Sequence, residues 1–162
     1  SSGDSPASLG VEAAARKRAA EVAAAAKELT LKRAALPPPP GNVSEFERAC
    51  NSLGDNPAVF CRYLGSFSLK KTAKAWKRPL EADSISAVVR ALSAGLDLGG
   101  EEGVGPKFVG ETLRGLTKAH SFGMSAMMLS KADQATLRDI VGRLRAAGKT
   151  TAADDIQAKY KL

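Results

Sequence analysis

Residues 130–148, SKADQATLRDIVGRLRAAG, carry the clearest helical pattern in the chain. Ser130 belongs to the residue types that cap the start of a helix, and Gly148 to the type that follows the end of one in a left-handed conformation. Between them, the large apolar residues recur at the spacing of a single helix face. These residues are Leu137, Ile140, Val141 and Leu144. The stretch therefore predicts a helix with one buried side.

Start signals of the same kind precede the other short amphipathic segments. Ser44 and Glu47 form a capping-box pattern, and Asn56 before Pro57 places a cap residue ahead of a proline at the first helical position. The remaining predicted starts are Ser68, Asp83 or Ser84, Ser125 or a neighbour, and Thr151. Since no segment alternates as a half-buried strand does, we predict an all-α fold, a compact bundle of about seven short helices.

The beginning of the chain has a different composition. Residues 11–36 are rich in alanine, which favours a helix, but they contain few large apolar residues to bury. The run Pro37–Pro40 ends any helix and forms a short, stiff spacer. We therefore predict an Ala-rich leader over 1–42, helical or disordered, and a helical interaction domain over 43–162.

The overall charge limits the classes of partner without choosing one. The chain has 24 Lys and Arg residues against 17 Asp and Glu, a net charge of +7 in 162 residues. The excess is spread along the chain, which suits an acidic protein partner as well as nucleic acid. No apolar run approaches the ~20 residues that a membrane span requires, so we expect no membrane contact.

The residues that carry catalysis are scarce. His120 is the sole histidine, and the two cysteines, Cys50 and Cys61, are too few for a zinc site of four ligands. We expect both thiols to be reduced and buried. The glycine-rich stretch 99–107 fails as a phosphate-binding loop because Pro106 and Phe108 flank Lys107, where a backbone donor and a hydroxyl are needed. We predict a protein that is not an enzyme and that binds no cofactor or metal.

Residues 70–78 mix cations with Trp76, as nucleic-acid-binding surfaces do. The helical spacing of Trp76 with Leu69, Ala73 and Leu80 instead favours a buried indole, with the cations on a solvated face. We therefore regard nucleic acid as the less favoured partner.

Three methionines, Met124, Met127 and Met128, lie at the i, i+3, i+4 spacing of one helix face. Such spacing favours an ordinary core position for all three. The alternative is an adaptable docking patch at the surface, since clustered methionines adjust easily to a partner.

Taken in order, these segments resemble the C-terminal domain family of RNA polymerase II-associated protein 3, which is also found in sperm-associated antigen 1 and coiled-coil domain-containing protein 103. The resemblance covers about residues 44–160. The stretches that carry it are KAWKRPLE at 74–81, SFGMSAMMLS at 121–130 and DIQAKY at 155–160.

The resemblance implies a helical adaptor that binds a RuvB-like AAA+ ATPase, with the second paralogue favoured. It further implies that tetratricopeptide repeats upstream of this sequence recruit heat-shock protein 90. Such a scaffold serves the assembly of multisubunit complexes in the cytoplasm and also in the nucleus.

The resemblance also implies which residues contact the partner. In the family, the loop before the methionine segment is usually basic and contributes to the ATPase contact. Phe122 and Met124 match the family pattern, whereas Ser121 stands where arginine is usual. The implied partner-binding residues are Lys118, His120, Ser121, Phe122 and Met124.

A second hypothesis comes from the basic leader. The coiled-coil relative also has a helical leader, so an axonemal dynein-arm assembly factor or cytoskeletal attachment factor with a ciliary location is the alternative. Salt-sensitive co-sedimentation with microtubules would favour it.

Overall fold

The computed structural model describes residues 12–22 and 36–162. The chain divides into two compact units, Ser1–Leu36 and Pro37–Leu162. In the first unit, residues 12–22 form a helix, α1, whose side chains are all exposed. The rest of the predicted leader helix lies outside the described residues. Within its described part, this helix has no buried face.

The second unit consists of helices, and the described residues contain no strand. In chain order the helices are α2 (Val43–Leu53), α3 (Pro57–Gly65), α4 (Leu69–Lys74), α5 (Ala82–Leu98), α6 (Pro106–Leu116), α7 (Phe122–Met127), α8 (Lys131–Ala146) and α9 (Thr150–Lys159). The predicted all-α fold is confirmed, with eight helices in this unit instead of about seven.

Helix α5 lies at the centre of the bundle and contacts α2, α3, α6, α7 and α8. It can do so because its buried residues extend over nearly its whole length, from Ser84 to Gly95. The apolar spacing of this segment predicts a buried stripe of Ile85, Val88, Val89, Leu92 and Leu96. The first four are completely buried, and Leu96 is partly buried. Each of the other helices therefore packs against α5 or against a neighbour of α5.

Helix α8 has the structure that its sequence predicts. The Ser130 hydroxyl accepts a hydrogen bond from the Asp133 backbone nitrogen at 3.1 Å. Gly148 follows the helix with a φ of 78°, a left-handed conformation that glycine adopts without strain. The predicted apolar face, Leu137, Ile140, Val141 and Leu144, is buried.

The predicted cap of α2 is wrong by two residues. The helix begins at Val43, and the side chain of Asn42 accepts a hydrogen bond from the Glu45 backbone nitrogen at 2.9 Å. The Glu45 carboxylate in turn accepts from the backbone nitrogen of Gly41. Asn42–Glu45 and Ser44–Glu47 have the same spacing, so the sequence alone cannot choose between them. The second pair is excluded because its glutamate lies on the buried face of the helix.

Other helix ends also differ from the sequence prediction. Helix α5 begins at Ala82, without a side-chain cap, in place of the predicted cap at Asp83 or Ser84. Helix α9 begins at Thr150, directly after the turn at Gly148, one residue before the predicted start. Helix α7 begins at Phe122 and not near Ser125.

Both cysteines are buried and free, as predicted. Burial raises the pKa of the Cys50 thiol to about 12 and that of Cys61 to about 11. The Cys61 thiol also lies 3.5 Å from the Ala91 carbonyl oxygen, to which it donates. Both groups therefore stay protonated in the folded chain at pH values where an exposed thiol ionises.

We expect this burial to make the domain less stable in alkali. The unfolded chain releases the two thiol protons near the ordinary pKa of 9.0, whereas the folded chain retains them. The free energy of unfolding should therefore fall with rising pH, by about 2–3 kcal/mol between about pH 8 and pH 10. Urea unfolding at several pH values measures this fall. The Cys50→Ala/Cys61→Ala double variant should show a shallower slope, and an equal slope would contradict the account.

Candidate protein-interaction surface

Helix α7 is short and has apolar residues on two opposite sides. Phe122, Ser125 and Ala126 are buried and form its inner side. The small side chains of Ser125 and Ala126 allow the helix to lie close to the bundle. Leu129, two residues after the end of α7, is also buried. The inner side alone therefore attaches the segment to the core.

The three methionines occupy the outer side of the same segment. Met124, Met127 and Met128 are 70%, 67% and 75% exposed. The spacing favoured a core position for the three methionines, and this prediction is wrong. Phe122 and Ala126 take the inner side of the helix. Residues two positions away from them, Met124 and Met128, therefore point outward. We call these three residues the methionine face. The only other exposed large hydrophobic residues in the described ranges are Val22 and Leu98.

An aromatic contact anchors the start of α7. The rings of Phe122 and Tyr160 meet edge to face, with centroids 4.8 Å apart. The Tyr160 hydroxyl donates to the backbone carbonyl of Leu113, in α6, at 2.6 Å. Tyr160 is 1% exposed and follows α9 directly. Tyr160 thus connects α7 with α6 and helps to fix the position of the methionine face.

The segment that leads into α7 is exposed and turns sharply. Lys118, His120 and Ser121 are exposed, whereas Ala119 between them is buried. Ser121 has a φ of 51° and a ψ of 37°, a left-handed conformation that costs a non-glycine residue about 1–2 kcal/mol. The turn presents Lys118 and His120 to solvent next to the first residue of α7 in the chain.

The structure separates the predicted partner-binding residues into two groups. Lys118, His120, Ser121 and Met124 are exposed and available to a partner. Phe122 is 5% exposed, so its ring belongs to the core and holds the segment in place.

The predicted burial of the Trp76 indole, in residues 70–78, is confirmed. Trp76 is 6% exposed, and its ring packs against Phe46 with centroids 4.9 Å apart. The lysines of this stretch are exposed. Its helix is shorter than the pattern suggested, since α4 ends at Lys74. No aromatic side chain is therefore offered to a nucleic-acid base on this stretch.

One structural ion pair was not recognised in the sequence. The Glu47 carboxylate accepts from the Arg78 guanidinium at 2.5 Å and from the Glu81 backbone nitrogen at 3.0 Å. The Glu47 side chain is 10% exposed, whereas that of Arg78 is 45% exposed. The interaction ties α2 to the segment that leads into α5. Nothing in the spacing of these residues indicates that they meet.

Two further kinds of site, a metal cluster and a membrane-spanning helix, are absent from the described residues. Within 12–22 and 36–162, no three His, Cys, Asp or Glu side chains are grouped to hold a metal ion. In the same ranges, no helix is both long and apolar enough to cross a membrane.

Comparisons with known proteins agree with this fold. A family model described as the potential Monad-binding region of RPAP3 matches residues 39–134, which include α2 to α7 and the methionine face. The NMR structure of the C-terminal domain of the human RPAP3 protein is similar, with a TM-score of 0.65 and 22% identity. The match covers 78% of this chain and 91% of that one, and it shows a shared fold. No curated protein matches the chain in sequence.

The family match spans more than half of the chain and supports a protein-interaction module, because the family is a protein-binding domain and not a known catalytic one. The resemblance to this family is thereby confirmed, and the match includes two of the stretches that carry it, residues 74–81 and 121–130. The chain belongs to the RPAP3 C-terminal domain family.

Proposed function

We propose that this chain docks a RuvB-like AAA+ ATPase, with the second paralogue favoured, and that the methionine face is the contact surface. The observation that carries the proposal is the exposure of Met124, Met127 and Met128 on one side of a helix that is fixed from the other side. A soluble domain rarely leaves such a group of large apolar residues in water unless a partner covers it.

The chemistry of the methionine face suits a protein surface better than a small ligand. Its side chains are unbranched and polarisable, so they adjust to the contours of a partner. The three side chains are 67–75% exposed, so they project from the domain. A convex apolar patch of this kind fits into a groove on another protein.

The exposed residues before α7 belong to the rim of the proposed contact. Lys118 is positively charged, and His120 follows two residues later. Charged residues at a rim mainly affect the association rate and its dependence on salt. In this proposal the methionines supply most of the affinity, and Lys118 and His120 guide the approach of an acidic surface.

We expect the Met124→Lys variant to bind the ATPase at least about tenfold more weakly than the unchanged chain, because it places a charge at the centre of an apolar contact. Isothermal titration calorimetry with each purified RuvB-like paralogue measures the change. The exposed position of Met124 means that thermal stability should stay unchanged.

Leu98→Lys is the matched control, since Leu98 is 55% exposed and lies at the end of α5, outside the methionine face. It should bind as the unchanged chain does. Equal losses for the two variants would contradict a specific role of the methionine face. Failure of the unchanged chain to bind either paralogue at micromolar concentration would exclude the proposed partner.

A second candidate partner is the protein called Monad, because the matching family model is described as potentially binding it. The same calorimetric titration with purified Monad tests this candidate. If the unchanged chain binds Monad but not the ATPase, and the Met124→Lys variant loses Monad binding, then Monad is the partner of the methionine face.

In the wider proposal, the chain is part of a chaperone scaffold for the assembly of multisubunit complexes. Contact with heat-shock protein 90 would come from repeats that these 162 residues do not contain. A cytoplasmic and nuclear location belongs to the same proposal. The axonemal alternative depends on the leader, and salt-sensitive microtubule binding that is lost without residues 1–42 would favour it.

A further inference from the structure

A basic cleft of about 440 Å³ lies where α4, α6 and α9 meet. The two helices α4 and α6 approach closely at Gly115, where a Cβ atom would lie 3.1 Å from the backbone nitrogen of Lys70. The cleft is therefore a product of helix packing and not of side-chain placement alone. Six charged residues line it: Lys70, Glu111, Arg114, Lys118, Asp155 and Lys159.

The charges in this cleft are not balanced. Four of the lining residues are cationic and two are acidic. Arg114 is paired with Asp155 at 2.9 Å. Within the described parts of the chain, no ion pair involves Lys70, Lys118 or Lys159. Three unpaired ammonium groups around one concave surface favour a ligand that brings several negative charges.

We infer that this cleft receives an acidic segment of a protein partner, a short run of Asp and Glu residues. The size of the cleft suits a few side chains of an extended peptide. This inference concerns a surface other than the methionine face, since no methionine lines the cleft, although Lys118 belongs both to the cleft and to the proposed rim of that face. It assigns a second binding surface to the domain.

Nucleic acid is a poorer occupant of the same cleft. Glu111 and Asp155 lie among the lysines, and they would repel a continuous phosphate backbone. Surfaces that bind single strands usually offer aromatic rings on which bases stack, and no aromatic side chain lines this cleft. Discrete carboxylates can pair with the separate lysines while they avoid the two acidic side chains.

Fluorescence anisotropy with the full chain and a labelled oligo-glutamate peptide tests the inference. We expect binding at low salt that weakens steeply as salt is added. The Lys70→Glu/Lys159→Glu double variant should bind at least about tenfold more weakly. An oligo-glutamine peptide of the same length should not bind, because it lacks the charges.

Lys131→Glu/Lys149→Glu is the matched control, since both lysines are exposed, lie outside the cleft and give the same change in net charge. It should retain most of the binding. Circular dichroism establishes that all variants remain folded.

Three outcomes would overturn the inference. One is equal weakening in the control and cleft variants, which would indicate a general charge effect. Another is the absence of peptide binding at low salt. The third is tighter binding of a single-stranded RNA probe with the same dependence on Lys70 and Lys159, which would assign the cleft to nucleic acid. Because the probe is a peptide, failure here leaves the ATPase titration unaffected.

Discussion

Replacement of Tyr160 by alanine should reduce the free energy of unfolding by about 3–5 kcal/mol, as for other large buried aromatic residues. The variant would leave a cavity against Phe122 and remove the hydrogen bond to the Leu113 carbonyl. Urea denaturation followed by circular dichroism measures the loss. Because Tyr160 holds the start of α7, docking through the methionine face should weaken as well.

Tyr160→Phe is the matched control for this change. It keeps the ring and its contact with Phe122 but removes the hydroxyl that donates to Leu113. The expected loss is about 1 kcal/mol, the usual size for one hydrogen bond. A Tyr160→Ala variant as stable as Tyr160→Phe would mean that the ring does not anchor α7.

The second large effect concerns Glu47. We expect Glu47→Ala to lose about 2–4 kcal/mol, because it leaves the Glu81 backbone nitrogen without its acceptor and removes a largely buried carboxylate that binds Arg78. Removal of Arg78 should destabilise the domain less than removal of Glu47, since the carboxylate of Glu47 would then be buried with one partner fewer but would keep the Glu81 backbone nitrogen. Urea denaturation measures both losses.

Arg90→Ala provides the comparison, because Arg90 is exposed and its side chain binds only the Ser86 carbonyl one turn earlier in α5. It should change stability by less than about 0.5 kcal/mol. An Arg78→Ala variant as stable as Arg90→Ala would show that the Glu47 interaction contributes little to the fold.

Much of the fold could be predicted from local sequence. Residues 130–148 specify α8 because the cap, the apolar face and the terminal glycine all lie within one segment. Asn56 and Pro57 specify the start of α3 in the same way. Each of these features depends only on residues that are close in the chain, so it can be predicted without the tertiary structure.

The orientation of α7 could not be predicted in this way. Its inner residues, Phe122, Ser125 and Ala126, have the same i, i+3, i+4 spacing as the three methionines. Spacing shows which residues share a side, but not which side is buried. That choice depends on Tyr160, which lies far along the chain and offers an aromatic partner to Phe122. The contact between Glu47 and Arg78 was missed for the same reason.

The basic cleft is also a tertiary feature. Its three unpaired lysines, Lys70, Lys118 and Lys159, come from distant parts of the sequence. The sequence around each one is that of an ordinary solvated cation. The close approach of α4 and α6 at Gly115 brings the first two together. The cations of residues 70–78 are clustered in the sequence, whereas those of the cleft come together only in the folded domain.

The most direct test of the proposed docking surface uses the methionines themselves. The chain contains three methionines, and all three form the methionine face, so a sample with labelled ε-methyl groups gives signals from that surface alone. On addition of the purified second RuvB-like paralogue, we predict that all three methyl signals shift or broaden. Signals that stay unchanged, at a concentration where calorimetry shows that the ATPase is bound, would contradict the central claim.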